Sequence, residues 1–273
     1  SSLQCSVNSC NLPYTQTIEK KTTLQTIKIG YQKGDPIDIA KQHGELIKNM
    51  KKQGYKIVYR EFADGASKSS GSAILIPQSS SLSKISDLKG KRIAYTQGTS
   101  SQYLLLSALK KAGLSSSDVT LVNMKQTDAS IAFSQGKIDA WVTWDPYTAQ
   151  AEVSQNAKVL TTGKGLSKNR DFLLSTKSIA KKNKKVSSYL VKYLSQDMKW
   201  ANNNKSEVSK LLAKSLSMKQ SVIEKMVKRR DFTMTGITSA VLKEQQSIAN
   251  LFYEEGLINK KITIKDTVMN TTN

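Results

Sequence analysis

The chain has 273 residues and a mass of 30.2 kDa, with 42 Lys and Arg against 21 Asp and Glu, a formal net charge of +21. That length suits one large or two medium domains, and the cationic excess favours an anionic partner such as nucleic acid, teichoic acid or an acidic membrane without saying which. No run approaches the roughly 18 consecutive apolar residues of a membrane span, while one histidine and two cysteines leave Ser/His/Asp, Cys/His and His/Cys metal chemistry short of residues.

Residues 1–23 are polar and aperiodic and read as a tether. They hold both cysteines, Cys5 and Cys10, which sit too far from any periodic segment to staple a core; a loop disulfide, free thiols and a lipid anchor stay open for them. Ile27, Ile29 and Tyr31 alternate with polar residues and predict a first strand that runs into Gln32-Lys33-Gly34-Asp35-Pro36. One helix is expected over 37–53, stopped by Gly54, with His43 inside it and without a role, and a second strand over 55–62. Strand, helix and strand in this order are the grammar of a parallel sheet.

Farther on, a strand is expected over 91–95, and the small-residue turn Thr96-Gln97-Gly98-Thr99-Ser100-Ser101 opens a helix. The apolar residues of that helix, Leu105, Ala108, Leu109 and Ala112, recur at i, i+3, i+4 and i+7. A strand follows over 119–123, then a helix from a Thr127 N-cap to Gln135, then an apolar strand over 138–144 broken by Asp145-Pro146. Beyond Gly165 the chain turns Lys-rich and helical. Val186, Leu190, Tyr193, Leu194 and Ala201 share a stripe, and Ser239 is expected to cap a last helix that stops at Gly256.

The charge is unevenly spread. Residues 164–231 carry 18 Lys and Arg against 5 Asp and Glu, whereas residues 84–163 carry 9 against 6. The excess therefore lies on helix surfaces, where it reads as a solvated face rather than a nucleic-acid groove, since the tyrosines there fall on the apolar stripe.

Two segments could hold a ligand. Gln97-Gly98-Thr99-Ser100-Ser101 sets a glycine and three hydroxyls where a strand gives way to a helix. The N–H groups and dipole of that helix favour an anion, although an ordinary N-cap with a serine-rich first turn explains the segment as well. Trp144-Asp145-Pro146-Tyr147 ends an apolar strand, and open α/β sheets bind ligands outside the carboxyl ends of their strands. Taken together, the two strand ends suggest a pocket for a small anion with an organic tail, faced by Gln32 from another lobe. Arg229-Arg230-Asp231 offers a guanidinium, of which Arg230 is the candidate, or a plain ion pair with Asp231.

These stretches, together with Ile29-Gly30-Tyr31-Gln32-Lys33-Gly34, Asp87-Leu88-Lys89-Gly90-Lys91-Arg92, Asp139-Ala140-Trp141 and Leu251-Phe252-Tyr253-Glu254, resemble the substrate-binding proteins of ABC importers for aliphatic sulfonates, within the nitrate/sulfonate/taurine group. The likeness runs from Leu24 to Val268. It implies an α/β, two-lobed type II periplasmic-binding-protein fold, with residues 24–78 and 174–273 as lobe one, residues 79–173 as lobe two, and crossover strands at 72–77 and 172–176. It also implies that Gly98, Thr99, Ser100 and Ser101 hold a sulfonate, that Gln32 reaches it from lobe one, and that Trp144 and Asp145 line the opposite wall.

The function implied is capture of an alkanesulfonate, or of taurine, nitrate or a heterocyclic thiamin precursor, and delivery to a membrane permease. The protein would act as a monomer without cofactor, catalysis or nucleic acid. Its location would be extracytoplasmic, either as a lipoprotein on a Gram-positive cell or in a periplasm. A thiamin-precursor enzyme would need a histidine-rich or cysteine-containing site, and a basic polyanion binder rests on charge alone. One departure stands out: only residues 63–72 separate the second strand from the crossover strand, too few for the helix and strand the family places there. Lobe one is therefore expected to lack a segment near 63–72, by deletion or by omission, and a real deletion predicts weakened ligand binding.

Overall fold

The computed structural model describes residues 23–62, 71–166 and 170–269. The expected tether and both cysteines lie almost wholly outside this range, as does most of the short connection. Two parallel strands, β1 (Gln25–Tyr31) and β2 (Tyr55–Glu61), form a small sheet in register from Gln25 opposite Tyr55 to Tyr31 opposite Glu61. Between them the single expected helix divides into α1 (Pro36–His43) and α2 (Glu45–Lys52). Gly44 takes a left-handed φ of 84° and returns its N–H to Ala40, which ends α1 at His43, well before the expected stop.

The second sheet has five strands in the order β5 (Thr120–Asn123), β4 (Arg92–Tyr95), β6 (Ala140–Thr143), β3 (Ala73–Ile76) and β7 (Lys158–Thr162). Strand β4 pairs in parallel with β5 and β6, while β3 lies antiparallel between β6 and β7. Every residue of β3 and β6 is buried. Thus β3, expected as a crossover, is an interior strand of the larger sheet. Residues 172–176, the other expected crossover, form no strand, and a strand there would need a neighbour in a sheet that stops at β1 and β2.

Helices α3 (Ser100–Lys111), α4 (Gln126–Ser134) and α5 (Tyr147–Ser154) cover the larger sheet, and α6 (Lys177–Lys182), α7 (Lys184–Asn203), α8 (Lys205–Leu216) and α9 (Gln220–Lys228) build the helical side of the smaller one. Two caps differ from the sequence reading. Helix α4 starts at Gln126 rather than after Thr127, and Thr238, not Ser239, caps α10 (Ser239–Glu254) by accepting from Val241 N–H at 3.3 Å.

Each sheet has its own apolar core. Ile74, Leu88, Ile93, Leu104, Leu105 and Val142 pack around the larger sheet, and Ile27, Ile29, Leu46, Met50, Ile57 and Leu194 around the smaller. A third cluster joins Ile39, Met198, Leu212, Ile223 and Met226 to Ala149, which belongs to α5 and so brings the larger-sheet side into the other side's core. Tyr103 of α3 also meets Phe252 of α10 edge to face, with ring centroids 6.5 Å apart. No helix among the described residues is long and apolar enough to cross a membrane.

Candidate functional site

Side-by-side pairing of β4 and β6 brings the two suspected strand ends together, and a chain of side-chain hydrogen bonds fixes them. Thr143 Oγ1 donates to Gln126 Oε1, Gln126 Nε2 donates to Thr96 Oγ1 at 2.7 Å, and Thr96 Oγ1 donates to the Met124 carbonyl at 2.9 Å. The turn before α3 therefore faces the same end of the sheet as Trp144. Gln126 was missed by the sequence reading; its side-chain amide bridges the hydroxyls of Thr143 and Thr96, a role only the tertiary contact reveals.

Gly98 has a φ of 72°, a left-handed conformation that favours glycine, and its N–H donates to Gln102 Oε1 at 2.7 Å. Thr99 is the N-cap of α3, accepting from Ser101 N–H at 3.3 Å and donating to the Thr96 carbonyl at 2.6 Å. Ser101 is fully buried. Its hydroxyl accepts from Thr96 N–H at 3.2 Å and lies 2.9 Å from Thr99 Oγ1. Hence the Thr99 and Ser101 hydroxyls hold the loop in shape, and what the segment offers a ligand comes from the amides and dipole that open α3.

Trp144 is half-buried and meets Tyr147 edge to face at 6.4 Å. Asp145, next to it, is not turned toward open space: its side chain is 0 % exposed, and both oxygens are taken by Arg229, Nε to Oδ2 at 2.7 Å and Nη2 to Oδ1 at 2.6 Å. Burial pushes this carboxyl above the ordinary carboxylate range even though the guanidinium pulls it down. For Arg229, burial works against the charge, but the Asp145 and Glu152 partners outweigh it and hold the guanidinium above its usual value. Glu152 accepts from Arg229 Nη1 at 3.0 Å and lies 3.6 Å from Lys225 Nζ, so α5 and α9 are tied by three ion pairs.

The neighbouring residue points the other way. Arg230 is 6 % exposed and donates to the Gly34 carbonyl at 2.9 Å and to Asp171 Oδ2 at 3.1 Å, with its guanidinium 4.9 Å from the centre of the Phe232 ring. It thereby anchors the loop that carries Gln32. Buried Asp35 and Asp38 shape that loop from within: Asp35 accepts from Gln32 N–H at 2.8 Å, and Asp38 accepts from Gly34 N–H at 2.8 Å and from Ser215 Oγ at 2.7 Å. Neither aspartate had been singled out, because a loop acid that binds its own backbone looks like any N-cap.

Of the eight residues proposed from sequence, Gly98, Thr99, Ser100, Ser101, Trp144 and Asp145 thus gather at one end of the larger sheet, and Gln32 lies on the loop stapled by Arg230. Arg229, passed over in favour of its neighbour, reaches between the two sides, as Lys225 does.

A family model described as NMT1/THI5 like matches residues 36–208. A protein of Escherichia coli (strain K12) named putative aliphatic sulfonates-binding protein is 32% identical over 200 residues, 73% of this chain and 63% of that one, so the match spans less than two thirds of the relative. A protein of the same name from Bacillus subtilis (strain 168) is 28% identical over 289 residues, covering 91% of this chain and 87% of its own. That alignment is longer than the whole of this chain and therefore opens gaps in it. Among solved structures, the periplasmic aliphatic sulphonate binding protein SsuA from Escherichia coli is similar with a TM-score of 0.84 and 28% identity, over 91% of this chain and 93% of that one. The two-lobed α/β architecture expected from the sequence is the one these comparisons and the two sheets describe.

Proposed function

The chain belongs to the NMT1/THI5-like family, and we propose that it is the extracytoplasmic substrate-binding component of an ABC importer. In this reading it captures a small organic anion, an alkanesulfonate first, between its two lobes and hands it to a membrane permease. The observation that carries the reading is the convergence of the α3 start with Trp144 at the paired ends of β4 and β6. Helix-start amides there would take the sulfonate oxygens, Trp144 would cover the tail, and approach of the lobes would exclude water. The names of the relatives point to the same ligand class.

Binding would need no cofactor and no catalytic residue. Ligand occupancy would favour the closed arrangement by contacting both lobes at once, and the closed form would dock on the permease. The protein would work as a monomer, held outside the cytoplasm as a lipoprotein or in a periplasm.

Calorimetric titration with short alkanesulfonates, taurine, sulfate and nitrate tests this. A sulfonate should give heat, and Ser100→Pro, which removes one amide from the first helical position without breaking α3, should weaken it. If the short connection over residues 63–72 is a real deletion, lobe one lacks part of its contribution, and a chain with a longer connection restored should bind more tightly. No heat from either folded chain with any member of the panel overturns the reading.

A further inference from the structure

We infer that Arg229 decides which ligand charge the cleft accepts, by cancelling the Asp145 carboxylate that would otherwise repel an anion lying against Trp144. The inference rests on the anion-binding reading above and deepens it. Asp145 follows Trp144 directly, so its charge belongs to the same wall, and a carboxylate buried there without a partner would be costly in itself and hostile to a second negative charge nearby.

The geometry supplies that partner from the opposite lobe. Arg229 follows the last residue of α9, lies beside the first connection between the sheets at Gly71, and presents the planar two-nitrogen fork that matches a carboxylate. Its third contact, Glu152, also has Lys225, so loss of Arg229 leaves Asp145 without a cation, with the Ala149 N–H still donating to it at 3.1 Å, and leaves Glu152 paired. Arg230 meanwhile holds the Gln32 loop and Asp171, so two consecutive arginines serve the two sides of the molecule. Arg229 is accordingly a positioning residue that sets charge specificity without touching the ligand.

The test compares wild type, Arg229→Gln, Asp145→Asn and the double variant, each titrated with ethanesulfonate and each melted without ligand. Arg229→Gln should lose about 10- to 100-fold in affinity above the raised pKa of Asp145, where the negative field is exposed. Asp145→Asn should bind at least as tightly as wild type because the Arg229 charge is then uncancelled, and the double variant should recover to within about 3-fold. A guanidinium that contacts the sulfonate would not be rescued by Asp145→Asn, and that result overturns the inference. So does an Arg229→Gln variant with unchanged affinity. The melts read the pair with no ligand present: Arg229→Gln should lower the melting temperature and Asp145→Asn should restore part of it. Should neither wild type nor the chain with the restored connection bind any member of the panel, the sulfonate reading fails while the melts still decide whether Arg229 neutralises Asp145.

Discussion

Gly71 lies so close to Asp145 that a Cβ placed on it would come within 1.9 Å of Asp145 Oδ2, and its φ of 71° is one that residues with a side chain seldom adopt. Its carbonyl meanwhile accepts from Thr148 Oγ1 at 2.8 Å. Gly71→Ala should therefore displace the carboxylate from Arg229 as well as strain the backbone, costing about 1–3 kcal/mol from strain alone. Chemical denaturation of the variant measures it. Since the displaced group is the Asp145 carboxylate, the same variant should also weaken ethanesulfonate binding.

The turn before α3 makes a second prediction. Ser101→Ala removes a fully buried hydroxyl that receives Thr96 N–H and meets Thr99, and should cost about 1–3 kcal/mol because that amide loses its partner. Thr99→Ala removes the N-cap and should cost about 1 kcal/mol. The two should be non-additive, since they share one hydrogen bond, and a double-mutant cycle by urea unfolding reads the coupling.

Two aspartates should give opposite pH slopes. Asp139 receives Arg92 N–H at 2.8 Å and Nη2 at 3.1 Å, and the Arg92 hydrogen bonds hold its carboxyl below 3.8. A depressed carboxylate stabilises the fold above its unfolded pKa, and that contribution is lost as pH falls through the lower folded value. Asp139→Asn should cost about 0.5–1 kcal/mol near neutrality, as befits a half-exposed pair, and the difference should vanish in acid.

Asp197 is the reverse. It is 3 % exposed, with Oδ1 2.9 Å from His43 Nδ1 and Oδ2 buried without a hydrogen-bond partner, and burial pushes its carboxyl up despite the pull of His43. The native state holds this proton more tightly than the unfolded chain does. Its contribution is present below the unfolded pKa and lost as pH rises through the folded one. Melting temperatures taken across the carboxylate range should show wild type falling relative to Asp197→Asn as pH increases.

Ala149 offers a packing test. It belongs to α5 yet is 0 % exposed within the cluster of Ile39, Met198 and Ile223. Ala149→Leu should overpack that joint and cost about 1–3 kcal/mol, whereas Gln150→Leu, next to it and only half-buried, should change the melting temperature little.

Elements with a strong period were legible. The alternation at Ile27, Ile29 and Tyr31 is β1, the i, i+3, i+4 spacing of Leu105, Ala108 and Leu109 is α3, and the Val186 to Ala201 stripe is α7. Where the signal was local and weak the reading slipped. Apolar spacing continues across Gly44, so the break between α1 and α2 was invisible until the left-handed turn was seen. Helix α5 and strand β7 escaped notice because one is barely amphipathic and the other largely exposed. Gly98 to Ser101 could be put forward from sequence because small residues at a strand-to-helix junction carry a mechanism. The choice between Arg229 and Arg230 was not readable, since adjacent residues at a helix end point in different directions and only tertiary contacts assign them.

The two-stranded sheet sets the order in which the molecule comes apart. Among the described residues β1 pairs only with β2, and two strands alone are marginal in water, so this side depends on α2 and α7 for its cohesion, while β3 and β6 each have strand neighbours on both sides. Amide hydrogens of Ile27, Ile29 and Ile57 should exchange sooner than those of Ile74 and Val142, through openings that release the smaller sheet and leave the larger intact. A ligand bridging the cleft would slow exchange chiefly in β1 and β2, which makes the weaker half of the molecule the reporter of occupancy.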